Sequence, residues 1–433
     1  MSPLTPPPQP QIASPVKLSH EEPSLEERYE LLLTATRLLH ENGEETHGTL
    51  TAFQRLSKHL GVKATLLAAW GELFLQVDGE RVRAAAATPS NINMNRVVKT
   101  LHTVDELCAG RLSDAEAKAA LEAAGRAPDS SLFLFVLACT VGAGALVIIN
   151  GAAHPLIIGI VMLCAAVGAL LRKGLARLPV NSVVQIFVAS LLAGSVGALA
   201  IACHISSALR LIALGPLLVL VPGPTLLNGI FDLDALRLPL GAARLGFGLL
   251  TILAICTGVL IGLSFGGTAL PTDLPTRINP LWLDVLCAGI AAGSYGIFFS
   301  MPLRMLGYPV LIGMLAHAFR WWVISKIGLS NAMGAGFGCL LVGGVLVPIA
   351  SRLRLPFAAV GFASVVSMVP GSYLFRMGGG LVQIQKDAGA SPLPLLSGVL
   401  SDGTTALVTL IAMALGLLVP IKLYEHLSRK KVR

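Results

Sequence analysis

From residue 26 to residue 127 apolar positions recur singly among charged ones; from residue 132 onward they run together in long blocks. In the first region Tyr29, Leu32, Leu33, Thr36 and Leu39 lie at helical spacing within Glu27 to His40, and Leu50, Phe53, Leu56 and Leu60 do so within Thr49 to Leu60. Two helices are expected there. The runs 63–70, 72–77 and 81–87 are separated by Gly71 and by Asp78-Gly79, a dipeptide that favours the left-handed backbone of a hairpin turn, so a small sheet follows. Asn93 to Leu107 and Ser113 to Ala124 return to the helical period, the second opening with Ser113 and Glu116 at the spacing of a capping box. Residues 26–127 therefore read as a soluble α/β domain large enough for its own core, and the Pro-rich, polar residues 1–25 as a disordered N-terminus.

The long blocks fall at 132–150, 154–171, 182–202, 209–231, 245–266, 281–300, 307–325, 331–350, 356–375 and 396–420, each close to the roughly 20 residues a helix needs to cross a bilayer. Two are interrupted. Pro222, Gly223 and Pro224 stand near the middle of Leu211 to Phe231, and Val369-Pro370-Gly371 stands within 356–375. A proline there removes a backbone hydrogen bond, and the freed groups are tolerated in lipid only where protein or a water-filled cavity satisfies them. Broken spans are also where secondary transporters place their substrate and ion sites. The Pro-rich loop 266–280 divides the ten spans into five and five, 132–266 and 281–420, each half placing a VPG triplet in its fourth span. An odd number of spans makes the second half enter from the opposite side. The expected fold is thus an all-α polytopic membrane domain of about ten transmembrane helices in two inverted five-helix repeats, preceded by the soluble domain and followed by a basic tail, 421–433.

Composition agrees: 54% of residues are hydrophobic and 13% charged, about half the charged share of a soluble protein. The net charge of +8 suggests nucleic acid only until its distribution is read. Excess basic residues sit in alternate loops (Arg172, Lys173, Arg177; Arg237, Arg244; Arg304; Arg352, Arg354) and in the tail, which is the pattern of membrane topology. Both termini and the soluble domain should face the cytoplasm, with a lipid bilayer and no nucleic acid as partner. Residues 1–15 hold no apolar stretch, so the first membrane helix is expected to direct insertion. Seven isolated cysteines read as packing residues. Small residues such as Gly142, Gly144, Gly334, Gly336 and Gly338 indicate close helix packing, within one chain or in a homo-oligomer.

Candidate chemistry centres on the broken spans. Superposing the VPG triplets sets Asn228 opposite Arg376, and an arginine at the end of a broken helix either grips a carboxylate bidentately or snorkels to the surface. Asp232, one turn beyond Asn228, is either a proton carrier or an ion-pair partner of Arg237, with Asp234 beside it. Asp284 and Asp402, near span starts, read as helix caps, and His154, His204 and His317 as locally bonded histidines. In HENGEETH, His40, Glu44 and His47 would share a helix face able to hold a metal, but Gly43 interrupts it, so the segment reads as a solvated helix end. There is no nucleotide-binding loop of the GxxxxGK[ST] type and no triad signature; neither an enzyme nor a cofactor is expected.

The pattern PGxxLxNxxxDL from Pro222 to Leu233, followed by Gly241, Ala243, Arg244 and Leu245, resembles the signature of the threonine/serine exporter family. Asn42 to Thr46 and Asn93 to Asn95 resemble its N-terminal stretches, although Gly48 and Leu50 replace the family's usual Arg and acidic residue. The resemblance implies export of small amino acids such as threonine and serine across the bacterial inner membrane, driven by the proton gradient. Related members are associated with dicarboxylates such as succinate, and a passive channel on the same scaffold is the other alternative. It further implies a functional set of Pro222, Gly223, Asn228, Asp232 and Arg244, with Pro370 and Gly371 as the pseudo-repeat. Together with the chemistry above, Pro222, Gly223, Asn228, Pro370, Gly371 and Arg376 would form the substrate site and Asp232 would carry the proton.

Overall fold

The computed structural model describes residues 24–77, 81–89, 92–205, 209–268, 279–353, 355–386 and 393–432. The proposed disordered N-terminus, apart from its last two residues, and the Asp78-Gly79 turn lie outside them. Helices α1 (Leu25–Glu41) and α2 (Thr46–His59) precede strands β1 (Ala64–Ala69), β2 (Gly71–Val77) and β3 (Arg81–Ala87), and then come α3 (Met94–Cys108) and α4 (Asp114–Gly125). The strands form one antiparallel sheet in the order β1-β2-β3, with Ala69 opposite Glu72 across a two-residue turn whose Gly71 takes a φ of 87°. Only glycine adopts that backbone without a Cβ penalty. The Ser113–Glu116 capping box is formed in full, and Ser24 with Glu27 makes a second at the start of α1.

The remainder is helical: α5 (Leu132–Ile149), α6 (Pro155–Leu175), α7 (Ser182–Ala202), α8 (Leu209–Leu214), α9 (Gly223–Asp234), α10 (Leu238–Ser264), α11 (Leu281–Phe298), α12 (Gly307–Trp322), α13 (Asn331–Leu353), α14 (Phe357–Val365), α15 (Gly371–Lys386) and α16 (Leu393–Val432). Among the described residues eight helices are long and apolar enough to span a bilayer, and ten if each of two bent pairs counts as one span. Those pairs are the interrupted blocks. Residues 209–220 and 223–234 meet at 57°, and residues 357–368 and 371–384 at 63°.

The two breaks are built alike. Each ends its first arm in a 3₁₀ turn, after which Val221 (φ −59°, ψ 126°) and Val369 (φ −58°, ψ 132°) turn extended and the next helix begins at the glycine. The Gly223 amide donates to the Val221 carbonyl and the Gly371 amide to that of Val369, at 2.8 and 2.7 Å. They also pack on each other reciprocally: a Cβ on Gly223 would meet Val369 at 3.1 Å, and one on Gly371 would meet Val221 at 2.7 Å. Any larger residue at Gly371 would push the breaks apart. Tyr295 of α11 donates to the Leu218 carbonyl at 2.9 Å, satisfying one group that the first break frees.

The α/β domain is seated on one end of the helical body. The amides of Met94 and Asn95, which have no partner within α3, donate to the carbonyls of Phe299 and Ser300 just past α11, at 2.8 and 3.1 Å. Trp70, at the β1–β2 turn, packs against Phe247 of α10 with the rings tilted and their centroids 5.3 Å apart.

Candidate functional site

A cavity of about 280 Å³ ends at the second break. Pro370, Gly371, Ser372 and Tyr373 bring the start of α15 to its wall, where first-turn amides lack intrahelical partners and favour negative charge. Arg320 of α12 lines the same wall. Its Nη2 donates to Asn331 Oδ1 at 3.3 Å, its Nε has no partner, and among the described residues it forms no ion pair. Asp284 completes the charged lining. The cavity lies at the α11 N-terminal end, beside Asn279, whereas the α/β domain sits at the opposite end of that helix.

Behind this wall His317 is fully buried between two of its lining residues. His317 Nδ1 lies 3.0 Å from Asp284 Oδ2 and Nε2 lies 2.8 Å from Ser367 Oγ. Asp284 therefore serves His317 and is not a cap, because the first turn of α11 points its carboxylate across to α12. Asp402, well inside the 40-residue α16, is not a cap either; it pairs with Arg376 at 3.0 Å. Arg376 is 10% exposed, so it does not snorkel, and it is absent from the cavity wall. His154 does bond locally, accepting from the Leu156 amide as the cap of α6.

At the other end, Asp232 is 1% exposed and bridges Arg237 and Arg244 at 3.2 and 3.1 Å. Arg244 also reaches Thr46 of α2 at 3.2 Å, tying the α/β domain to α10. Asp234 pairs with Lys422 of α16. Asn228, 4% exposed with its Oδ1 unpartnered, faces a pocket of about 80 Å³ shared with His40, Trp70, Arg244 and Phe247. Asn228 and Arg376 thus occupy equivalent places after their breaks but share no pocket.

The HENGEETH segment is not a solvated helix end. It is the turn between α1 and α2, docked against α9 and α10, with His40, Glu44 and Glu45 buried and Gly43 at a φ of 95°. His47 turns away to pair with Glu425 at 2.9 Å, and among the described residues no three potential ligands gather. Burial drives the Glu44 carboxyl well up and raises Glu45 to about 7, His47 opposing and Asp232 adding to the rise. Burial, then Arg244, lowers His40 to about 4.

A carboxyl raised on docking binds its proton more tightly in the docked state. Its contribution is therefore greatest in acid and is lost as pH climbs from the ordinary carboxylate range toward 7, by up to about 1.4 kcal/mol per unit. His40 acts in the opposite sense, below its usual value. Protection of the α2 amides, taken relative to the base-catalysed exchange of an unfolded chain, should accordingly fall between about pH 5 and about pH 8. In Glu45→Gln that fall should be reduced, and an unchanged fall would remove Glu45 as its source.

Two family models cover most of this sequence: "Putative threonine/serine exporter" matches residues 30–266 and "Threonine/Serine exporter, ThrE" matches residues 284–422. The chain belongs to the threonine/serine exporter family. It is therefore a multi-pass membrane protein of an exporter family, and the two matches part at the loop that divides its spans five and five. Among curated proteins, a chloramphenicol resistance protein of Pseudomonas aeruginosa is 31% identical over 126 residues, which is 23% of this chain and 30% of that relative. One of Escherichia coli is 29% identical over 119 residues, 22% of this chain and 39% of the relative. The chain thus covers well under half of either protein. No solved structure matches it.

Arg320, Asp284, His317 and Ser367 were not singled out together by sequence reasoning. The available signal was His317 and Arg320, three residues apart on an otherwise apolar span, opposite a span opening with Asp284; ionisable groups at such depth mark pathways.

Proposed function

We propose that this exporter carries small amino acids of the threonine and serine class from the cytoplasm across the bacterial inner membrane, driven by the proton gradient. The observation that carries this reading is the cavity at the second break, which sets Arg320, a cation with no ion pair among the described residues, beside the amides of α15 and an acidic residue, Asp284. An α-carboxylate suits the first pair and an α-ammonium the second. A dicarboxylate would bring a second negative charge toward Asp284, which disfavours the succinate alternative.

The matched breaks, their reciprocal glycine–valine contacts and the division of the two family matches support an inverted repeat. On that reading the pocket at Asn228 is the cytoplasmic counterpart of the outer cavity, closed here by the α/β domain, and the two fill in turn. Pro222, Gly223, Pro370 and Gly371 open the backbone, while Arg376 braces α15 against α16. Asp232, clamped by two arginines, latches the cytoplasmic face together with Asp234 and Arg244.

The test is efflux from cells preloaded with threonine, serine or succinate, with and without a protonophore. Faster, protonophore-sensitive efflux of threonine or serine is expected. Efflux of succinate alone would change the substrate class. Efflux indifferent to the protonophore that never exceeds equilibration would indicate a passive channel.

A further inference from the structure

We propose that Asp284 and His317 form the proton-binding site of the transport cycle, and that the proton competes there with the ammonium group of the solute. The proposal rests on the amino-acid reading above. His317 is fully buried, and both ring nitrogens are engaged, Nδ1 by Asp284 and Nε2 by Ser367. Asp284 and Ser367 line the cavity, whereas the imidazole stands one layer behind them. A solute in the cavity can therefore touch the carboxylate and the hydroxyl but not the ring.

The hydrogen bonds define two states. With the ring neutral, Nδ1–H donates to Asp284 and Nε2 accepts from the Ser367 hydroxyl, leaving the carboxylate's charge unmatched and open to a cation from the cavity. A proton arriving at Nε2 makes the ring a donor at both nitrogens. Ser367 must then accept, its own hydrogen turns away from the ring, and Asp284 is neutralised by the imidazolium. The ammonium has lost its counter-charge.

The charge count leads to the same result. Arg320 and ionised Asp284 complement a zwitterion, and one added proton leaves a surplus positive charge that does not. Proton and solute thus exclude one another, which is the exchange rule an antiporter requires. Ser367 also lies two residues before Val369, where the second span breaks, so the occupant of the pair is sensed at the hinge.

The groups facing the pair are few. Asp284 and Cys287 come from α11, Arg320 from α12 itself, Ser367 from the turn after α14, and Tyr373 from α15 across the cavity; α13 contributes Asn331, which does not titrate. A thiol and a phenol ordinarily titrate above pH 8, and a guanidinium higher still. Among the groups facing the pair, a pH response in the acid range therefore belongs to Asp284 and His317, and the variants below separate it from that of Glu44 and Glu45 at the docked α/β domain.

The experiment is binding of radiolabelled threonine to the purified full-length protein at about pH 7 and about pH 5, between which an α-carboxylate and an α-ammonium both stay ionised. Wild-type affinity should fall at least about fivefold on acidification, the lower end of ordinary coupling between two ligands. His317→Gln keeps an amide toward Ser367 but takes up no proton, and its ratio of the two affinities should approach one, whatever their absolute level. Asp284→Asn, a second variant of unchanged shape, should also lose the ratio. A merely structural role would weaken binding equally at both pH values and leave the ratio intact.

The proposal is overturned if His317→Gln keeps the wild-type ratio, or if wild-type affinity is flat or rises on acidification. If the wild-type protein binds neither threonine nor serine at either pH, the amino-acid reading itself fails and takes this proposal with it.

Discussion

Replacing Arg320 by alanine is expected to lower threonine or serine affinity by about 30-fold or more, because losing a charge-assisted contact to a buried carboxylate costs about 2–5 kcal/mol. Arg320→Lys should recover only part of this, since a lysine keeps the charge but not the planar fork. Among the described residues Arg320 bonds the side chain of Asn331 alone, and its Nε has no partner. The variant should therefore fold. Binding and melting temperature measured on the same purified sample separate the two effects. An Arg320→Ala protein that binds as the wild type does would remove the carboxylate from this wall, and a collapse in melting temperature would assign Arg320 to the fold instead.

Loss of Arg244 should act on stability. Arg244→Met leaves Asp232 buried with only Arg237, a more exposed partner, and removes the donor to Thr46. Breaking one side of a buried ion pair costs about 3–5 kcal/mol, because the remaining charge is uncompensated. The loss should appear as a large drop in melting temperature together with easier proteolytic release of the α/β domain. Combining Arg244→Met with Asp232→Asn removes the stranded charge as well. The double variant should recover much of the loss, since a buried pair replaced as a unit is often close to neutral. Equal instability of single and double variants would show that Arg244 acts through packing alone, with no part in an electrostatic latch.

The break at the first VPG and its partner illustrate how far a local pattern reaches. Proline lacks an amide wherever it stands, so the interruptions at Pro222 and Pro370 were legible without any neighbour. Their contact was not. Gly223 packs on Val369 and Gly371 on Val221 across nearly 150 residues of chain, and nothing in either triplet specifies the other. The same limit explains Arg376. Its place after the break was evident, but the carboxylate that occupies it, Asp402, comes from the next helix, α16, and which residue of α16 faces it is set by how the two helices cross. The HENGEETH segment shows the reverse error. Its polarity suggested solvent, yet the turn is buried because α9 and α10 offer it Arg244 and a shared pocket.

By itself the sequence determined the spans, the two broken ones, the N-terminal α/β unit and its capped helices, for these depend on hydrophobic run length, period and backbone chemistry carried by neighbouring residues. It also held the motif around Pro222 that resembles the exporter family's signature, within the stretch that the first family model matches. Only the tertiary structure decided which charges meet: Asp232 with two arginines, Arg376 with Asp402, and His317 between Asp284 and Ser367, leaving Arg320 open to the cavity. The reason is that a buried charge is stabilised by whatever partner packing brings within a few ångströms, and that partner is set by how helices cross and not by their order along the chain.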